Sequence, residues 1–133
     1  ASFQNFSFNF DSAAGIIYTV DVTKPKGEKV TIISMAVGTP FSMDKMYKVA
    51  LNSYRGNGGG ELLTKGAGIP QDELKGRILF STDKDLRYYL MQYIEKKGVI
   101  EPHALGQWKF IPEEWVEPAA KRDYEYLFGK VEK

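Results

Sequence analysis

Gly15-Ile16-Ile17-Tyr18-Thr19-Val20-Asp21-Val22-Thr23 concentrates β-branched and aromatic residues in nine positions, the composition of a pleated and partly buried strand. Lys24-Pro25-Lys26-Gly27 comes next. Proline presets φ and glycine admits positive φ, so this tetrapeptide turns the chain. Lys29 to Met35 then resumes the first segment's chemistry, and the three pieces together predict a hairpin. On the N-terminal side, Phe6, Phe8 and Phe10 alternate with Ser7 and Asn9, the period of a strand that buries one face. On the C-terminal side, Gly38-Thr39-Pro40 reads as a loop. Tyr47-Lys48-Val49-Ala50-Leu51 alternates again and predicts another strand ahead of Asn52-Ser53-Tyr54.

Arg55-Gly56-Asn57-Gly58-Gly59-Gly60 holds four glycines in six residues, and the backbone entropy lost on ordering them predicts a loop. Pro70 to Leu74 reads as a short helix start and Arg77 to Phe80 as a brief strand. Leu86, Tyr89, Leu90, Tyr93 and Ile94 recur at helical spacing. They predict a helix over Asp85 to Lys97, with Ser81, Thr82 and Asp83 as N-cap candidates and Gly98 closing it. Trp108 to Pro112 reads as a final strand, and the tail over 113–133 as an extension that turns helical from Pro118. No repeat or long linker divides the chain, so 1–133 reads as one domain. Strands followed by helices predict an α+β fold with a mixed β-sheet covered by helices.

Composition narrows the function. The 18 Lys and Arg against 17 Asp and Glu leave a formal charge of +1, so no strong field draws the chain to polymeric nucleic acid or an anionic membrane. No apolar run approaches a membrane span. Cysteine is absent and His103 is the single histidine, set in Glu101-Pro102-His103-Ala104 without a ligand-spaced neighbour. A thiolate metal site, a cysteine nucleophile and a histidine triad therefore lack their parts, and His103 reads as an exposed loop residue. The sequence as given opens at Ala1 without a charged n-region and apolar h-region.

The glycine run invites two readings. Backbone without Cβ atoms lets a ligand approach closely, and glycines also mark plain surface turns. The phosphate-loop patterns are both excluded, because Gly56-Asn57-Gly58-Gly59-Gly60-Glu61-Leu62 supplies neither Gly-x-x-x-x-Gly-Lys-Ser/Thr nor Gly-x-Gly-x-x-Gly.

Tyr47-Lys48-Val49-Ala50-Leu51-Asn52-Ser53-Tyr54 with Gly58-Gly59, and Phe10-Asp11-Ser12-Ala13-Ala14-Gly15-Ile16 before it, closely resemble the C-terminal domain of the 5'-nucleotidase family. The likeness runs from about Phe10 to Pro112. It implies that Phe10 and Tyr54 sandwich a nucleobase, with Asn52, Asn57, Gly58, Gly59 and Gly60 in the same substrate site. Read without the resemblance, Phe10 and Tyr54 are core aromatics. Family members that remove a 5'-phosphate place Asp directly after Gly-Gly to meet the ribose hydroxyls, and this chain has Gly60 there. Gly60, with Phe10-Asp11 and Asn52-Ser53-Tyr54-Arg55, looks more like the 2',3'-cyclic-nucleotide 2'-phosphodiesterase/3'-nucleotidase branch. A carboxylate beside a phosphate on those ribose oxygens is disfavoured by like charge. Arg55 reads either as a phosphate contact or as an exposed surface arginine.

The resemblance implies that hydrolysis belongs to a separate N-terminal metallophosphoesterase domain that holds two divalent metal ions. This chain would then be the C-terminal portion of a nucleotide-recognition domain, without catalytic residues or cofactor of its own. It further implies a nucleotide or nucleoside as ligand, a place in nucleotide catabolism, and a periplasmic or extracellular protein. The alternative is a non-enzymatic protein-interaction domain with a structural glycine loop.

Overall fold

Ile16–Asp21 forms β1, the middle strand of a three-stranded sheet, in a computed structural model that describes residues 10–129. Val30–Met35 forms β2 and pairs with β1 antiparallel. Trp108–Ile111 forms β3 and pairs with the other edge of β1 in parallel. The sheet is thus mixed, in the order β2-β1-β3, and the fold is α+β. The chain divides into two units, Asp11–Lys45 with residues 104–129, and Phe10 with Met46–His103.

The sheet unit contains the hairpin expected from residues 15–35. Its turn is tied by Asp21, whose Oδ1 accepts from the Thr23 hydroxyl at 2.6 Å and the Thr23 N–H at 2.9 Å. Those two bonds hold the Asp21 carboxyl below the usual aspartate range; its slight burial opposes them, and Lys24 and Lys29 add a smaller lowering. Lys29 Nζ donates to the carbonyls of Val22 and Lys24, and Gly27 takes the positive φ of 94° that a side chain resists.

Strand periodicity puts Tyr18 and Val20 on one face of β1, and both are buried. The parallel register sets Trp108 beside Tyr18 and Phe110 beside Val20. The Tyr18 and Trp108 rings stack at 5.9 Å with 12° between their planes, and Trp108 meets Phe110 edge to face at 5.1 Å. The buried phenol oxygen of Tyr18 accepts from the Ala13 N–H at 3.1 Å, so its polar end is matched.

Glu113–Phe128 forms a helix directly after β3, five residues ahead of the start expected at Pro118. Pro112 supplies the N-cap, its carbonyl accepting from Trp115 and Val116 at 3.2 Å. Glu113 and Glu114 lie in the first turn, where the helix dipole favours negative charge. Lys109 pairs with Glu113 at 2.7 Å and lowers its carboxyl below the usual range. Pro118 sits inside the helix, which proceeds without that one N–H donor.

In the second unit, Leu86–Lys97 forms a helix as expected, closed at Gly98 with φ 73°. Its N-cap is Asp85, whose side chain accepts from the Tyr88 N–H at 3.0 Å. Ser81, Thr82 and Asp83 are displaced from that role because the first helical residue is Leu86, and a cap must stand immediately before it. Tyr47 to Leu51 is irregular rather than a strand, with Val49 and Leu51 exposed; alternation without a pairing partner makes no ladder. Ile78 to Phe80 is likewise irregular, following a 3₁₀ turn over Lys75–Arg77, while Gln71 to Leu74 makes a turn in place of a helix. The strand expected over Phe6 to Phe10 lies outside the described residues except for Phe10, which stands in irregular backbone.

Two outcomes follow from the sheet unit. Tyr18→Ala should lower unfolding stability by about 3 kcal/mol in denaturant titration, the scale for truncating a buried aromatic. The Asp21 tie stabilises the folded chain above the unfolded aspartate pKa and is lost as pH falls through the lower folded value. The Thr23 amide resonance should therefore titrate with a midpoint below the usual aspartate value, and a midpoint at or above it would refute the tie.

Candidate functional site

Asn52 ends the irregular segment in extended backbone, and its Oδ1 accepts from the Arg55 N–H at 2.8 Å. An asparagine oxygen in this place satisfies one donor that a helix start leaves open. It begins α1, the single turn Ser53–Gly56. This corrects the expectation of a loop throughout Arg55 to Gly60. The cap and the bonds from Gly56 N–H to the Asn52 carbonyl and Asn57 N–H to the Ser53 carbonyl, both 2.9 Å, offset the entropy that glycines lose on ordering.

α1 sends its two middle side chains to opposite environments. Tyr54 is 63% exposed and Arg55 8%. Of the two readings of Arg55, a phosphate contact or an exposed surface arginine, the exposed one does not hold: the residue is buried, its Nη1 donating to the Gly59 carbonyl at 3.1 Å. Its Cζ lies 5.4 Å from the Tyr54 ring centroid, within cation–π range.

The chain then winds through Gly58 at φ 91°, Gly60 at φ 68° and Glu61 at φ 60°. Among the described residues Glu61 is the one non-glycine with positive φ, a conformation that is costly for a side-chain-bearing residue. Its carboxylate pairs with Lys65 at 2.7 Å. Gly59 has no room for a side chain: a Cβ there would lie 2.5 Å from Tyr54 Cε2 and 2.6 Å from the Tyr54 carbonyl oxygen. Gly58 is closed off by a second segment, since its Cβ would meet Gln71 Oε1 at 2.5 Å and Leu74 Cδ1 at 3.1 Å. Gln71 Nε2 donates to the Asn57 carbonyl at 3.1 Å, and Leu74 is buried.

Asn52, Tyr54, Asn57, Gly58, Gly59 and Gly60 thus share one continuous turn. Phe10 falls in the same unit of the chain and is 54% exposed. Neither aromatic is spent on a core. Sequence reasoning missed Gln71 and Leu74. The bond from Gln71 to Asn57 spans 14 residues, and no local pattern marks it. Elsewhere, the sheet unit has an apolar cavity of about 160 Å³ beside Ile17, Thr19, Ile33 and Trp108, and none of the sequence-selected residues lines it. His103 is exposed, with Nδ1 3.3 Å from the Glu101 carbonyl. Among the described residues no group of three or more His, Cys, Asp or Glu could hold a metal ion.

A mixed sheet and a separate helical unit, with an exposed tyrosine braced on a glycine turn, define an α+β domain that presents an aromatic face to solvent. The family model for the 5'-nucleotidase C-terminal domain matches residues 3–65, so that part of the chain is similar to that family. It is 31% identical over 121 residues to the trifunctional nucleotide phosphoesterase protein YfkN of Bacillus subtilis (strain 168), covering 82% of this chain and 8% of that protein. It is 26% identical over 121 residues to a 2',3'-cyclic-nucleotide 2'-phosphodiesterase/3'-nucleotidase of Haemophilus influenzae, covering 80% of this chain and 17% of that protein. The chain therefore spans less than a fifth of the length of either relative. No solved structure matches it.

Gly59→Ala should displace Tyr54 and lower stability by about 1–3 kcal/mol, because the backbone oxygen in the way cannot rotate aside. Gly56→Ala, where a Cβ meets nothing within 4 Å, is the matched control. Tyr54 ring resonances that stay unmoved in Gly59→Ala would contradict the packing described.

Proposed function

We propose that this chain is the nucleotide-recognition portion of a nucleotide hydrolase and holds the base between Phe10 and Tyr54. The observation that carries the reading is the exposed Tyr54 ring, fixed from behind by the Asn52-capped turn and by Gly59. A flat ring prepared in this way loses little freedom when a heterocycle stacks on it, and such stacking contributes on the order of 1–3 kcal/mol per base with little regard to which base it is. Phe10, exposed and assigned to the same unit of the chain, supplies the second face.

In this reading the site binds and orients, and bond cleavage takes place on an N-terminal metallophosphoesterase domain of the same polypeptide. Two divalent metal ions held there would activate water and offset the developing phosphoryl charge. This chain contributes positioning, which turns an encounter into a pre-aligned reaction, and is inactive alone. Gly60 favours a parent that acts on 2',3'-cyclic nucleotides and 3'-nucleotides, because the ribose edge meets backbone there in place of a carboxylate. The names of both relatives, a nucleotide phosphoesterase and a cyclic-nucleotide phosphodiesterase/nucleotidase, support that substrate class. A periplasmic or extracellular setting rests on the family resemblance. Among the described residues no helix is long and apolar enough to cross a membrane.

A second reading, a protein-interaction module, has one observation in its favour. Leu86–Lys97 is α2, and Leu86, Leu90, Tyr93 and Ile94 along it are each about half exposed or more.

Titration of the chain with adenosine, followed by chemical shift, separates the two. The ring resonances of Phe10 and Tyr54 should move at millimolar ligand, and Tyr54→Ala should weaken binding roughly tenfold or more, as expected for loss of a base stack. Shifts confined to α2, or no shifts at all, would remove nucleotide recognition from this chain.

A further inference from the structure

The buried guanidinium of Arg55 has no part in the stacking just described. Among the described residues it is the one buried charged side chain, and an ionised group leaves water unfavourably unless its donors are matched. Two of its partners are the two supports of the candidate site. Nη1 bonds the Gly59 carbonyl at 3.1 Å, and Cζ stands 5.4 Å from the centre of the Tyr54 ring. Gly59 in turn leaves no space for a Cβ beside that ring. Tyr54, Arg55 and Gly59 therefore form a closed triangle in which each member restrains the other two. The Asn52 side chain fixes the corner by accepting from the Arg55 N–H.

We infer that Arg55 is a positioning residue that orients Tyr54 through Gly59, so that this turn recognises the nucleoside end of its ligand and does not read phosphate charge. The inference rests on the base-stacking role of Tyr54. A phosphate ligand presents its guanidinium to the solvent side of a site, whereas Arg55 is turned inward onto a carbonyl and a ring face. Arginine suits this geometry: lysine carries the charge and a donor, but lacks the planar group whose Nη1 bonds the Gly59 carbonyl while its Cζ lies over the ring.

The test compares wild type, R55A and R55K of the chain, each titrated with adenosine and with 3'-AMP. Tyr54 ring and Gly59 carbonyl resonances are recorded before ligand is added. A positioning role moves both sets of resonances in ligand-free R55A. It also weakens adenosine and 3'-AMP by the same factor, about tenfold, within the range of one base stack. R55K should fall between R55A and wild type for both ligands, and it stands in if R55A does not fold. A loss for 3'-AMP with adenosine unchanged would make Arg55 a phosphate ligand and overturn the inference. Unmoved Tyr54 and Gly59 resonances would overturn it as well. If wild type binds neither ligand, the stacking reading fails by itself, and the ligand-free resonances still decide whether Arg55 orients the ring.

Discussion

The space between Gly59 and the Tyr54 ring is too small for a methyl group, and the rest of the candidate site is arranged around that contact. Because Cβ at position 59 would strike both the ring and the Tyr54 carbonyl oxygen, the turn can close only with glycine there. Once closed, it fixes the ring from one side and leaves it 63% exposed. Everything adjacent supports the closure. Asn52 starts the helical turn, Gly58 and Gly60 provide the positive φ values that bring the backbone round, and Gln71 holds the Asn57 carbonyl. Leu74, buried under Gly58, gives the turn its apolar floor. The glycines thus act here as a means of close approach, and the flexibility suggested by their number is removed by hydrogen bonds.

The sheet unit follows a different logic. Its organising element is β1, which has a neighbour on each edge and buries Tyr18 and Val20 against the aromatic residues of β3. Among the described residues, the buried apolar side chains are Tyr18, Val20 and Leu74. Burial stabilises in proportion to apolar area removed from water, so each unit depends heavily on very few side chains. Ion pairs such as Lys109 with Glu113 are exposed and add little.

Much of the fold was readable from local chemistry. β1 and β2 are dense in β-branched residues around a Pro-Lys-Gly turn, β3 is an aromatic run stopped by Pro112, and α2 shows a clear helical period. The misreadings have two causes. Tyr47 to Leu51 has the alternation of a strand, yet strand formation requires a ladder with distant residues, which a local pattern does not encode. Helix starts were misplaced where two residues competed. Asp85 prevailed over Ser81 to Asp83, and Pro112 with its two following glutamates prevailed over Pro118. For the site, the residues Asn52 to Gly60 were legible as a group because they are contiguous. The burial of Arg55 was not, since the carbonyl that accepts from it becomes available only after the glycines have wound the chain back. Gln71 was invisible for the same reason.

The parallel pairing of β1 with β3 has a consequence for biosynthesis. Gly15 and Gln107, which hydrogen-bond beside that pairing, are 92 residues apart, with the whole Met46–His103 unit between them. β2 ends at Met35 and β3 begins at Trp108, so at about 5–20 residues per second the β1–β2 hairpin is synthesised roughly 4–15 s before its third strand. Throughout that interval the β1 edge that will receive β3 is an open row of amide and carbonyl groups, able to template pairing with another nascent chain. The tract Met46–His103, meanwhile, is synthesised in full before the strand that completes the sheet.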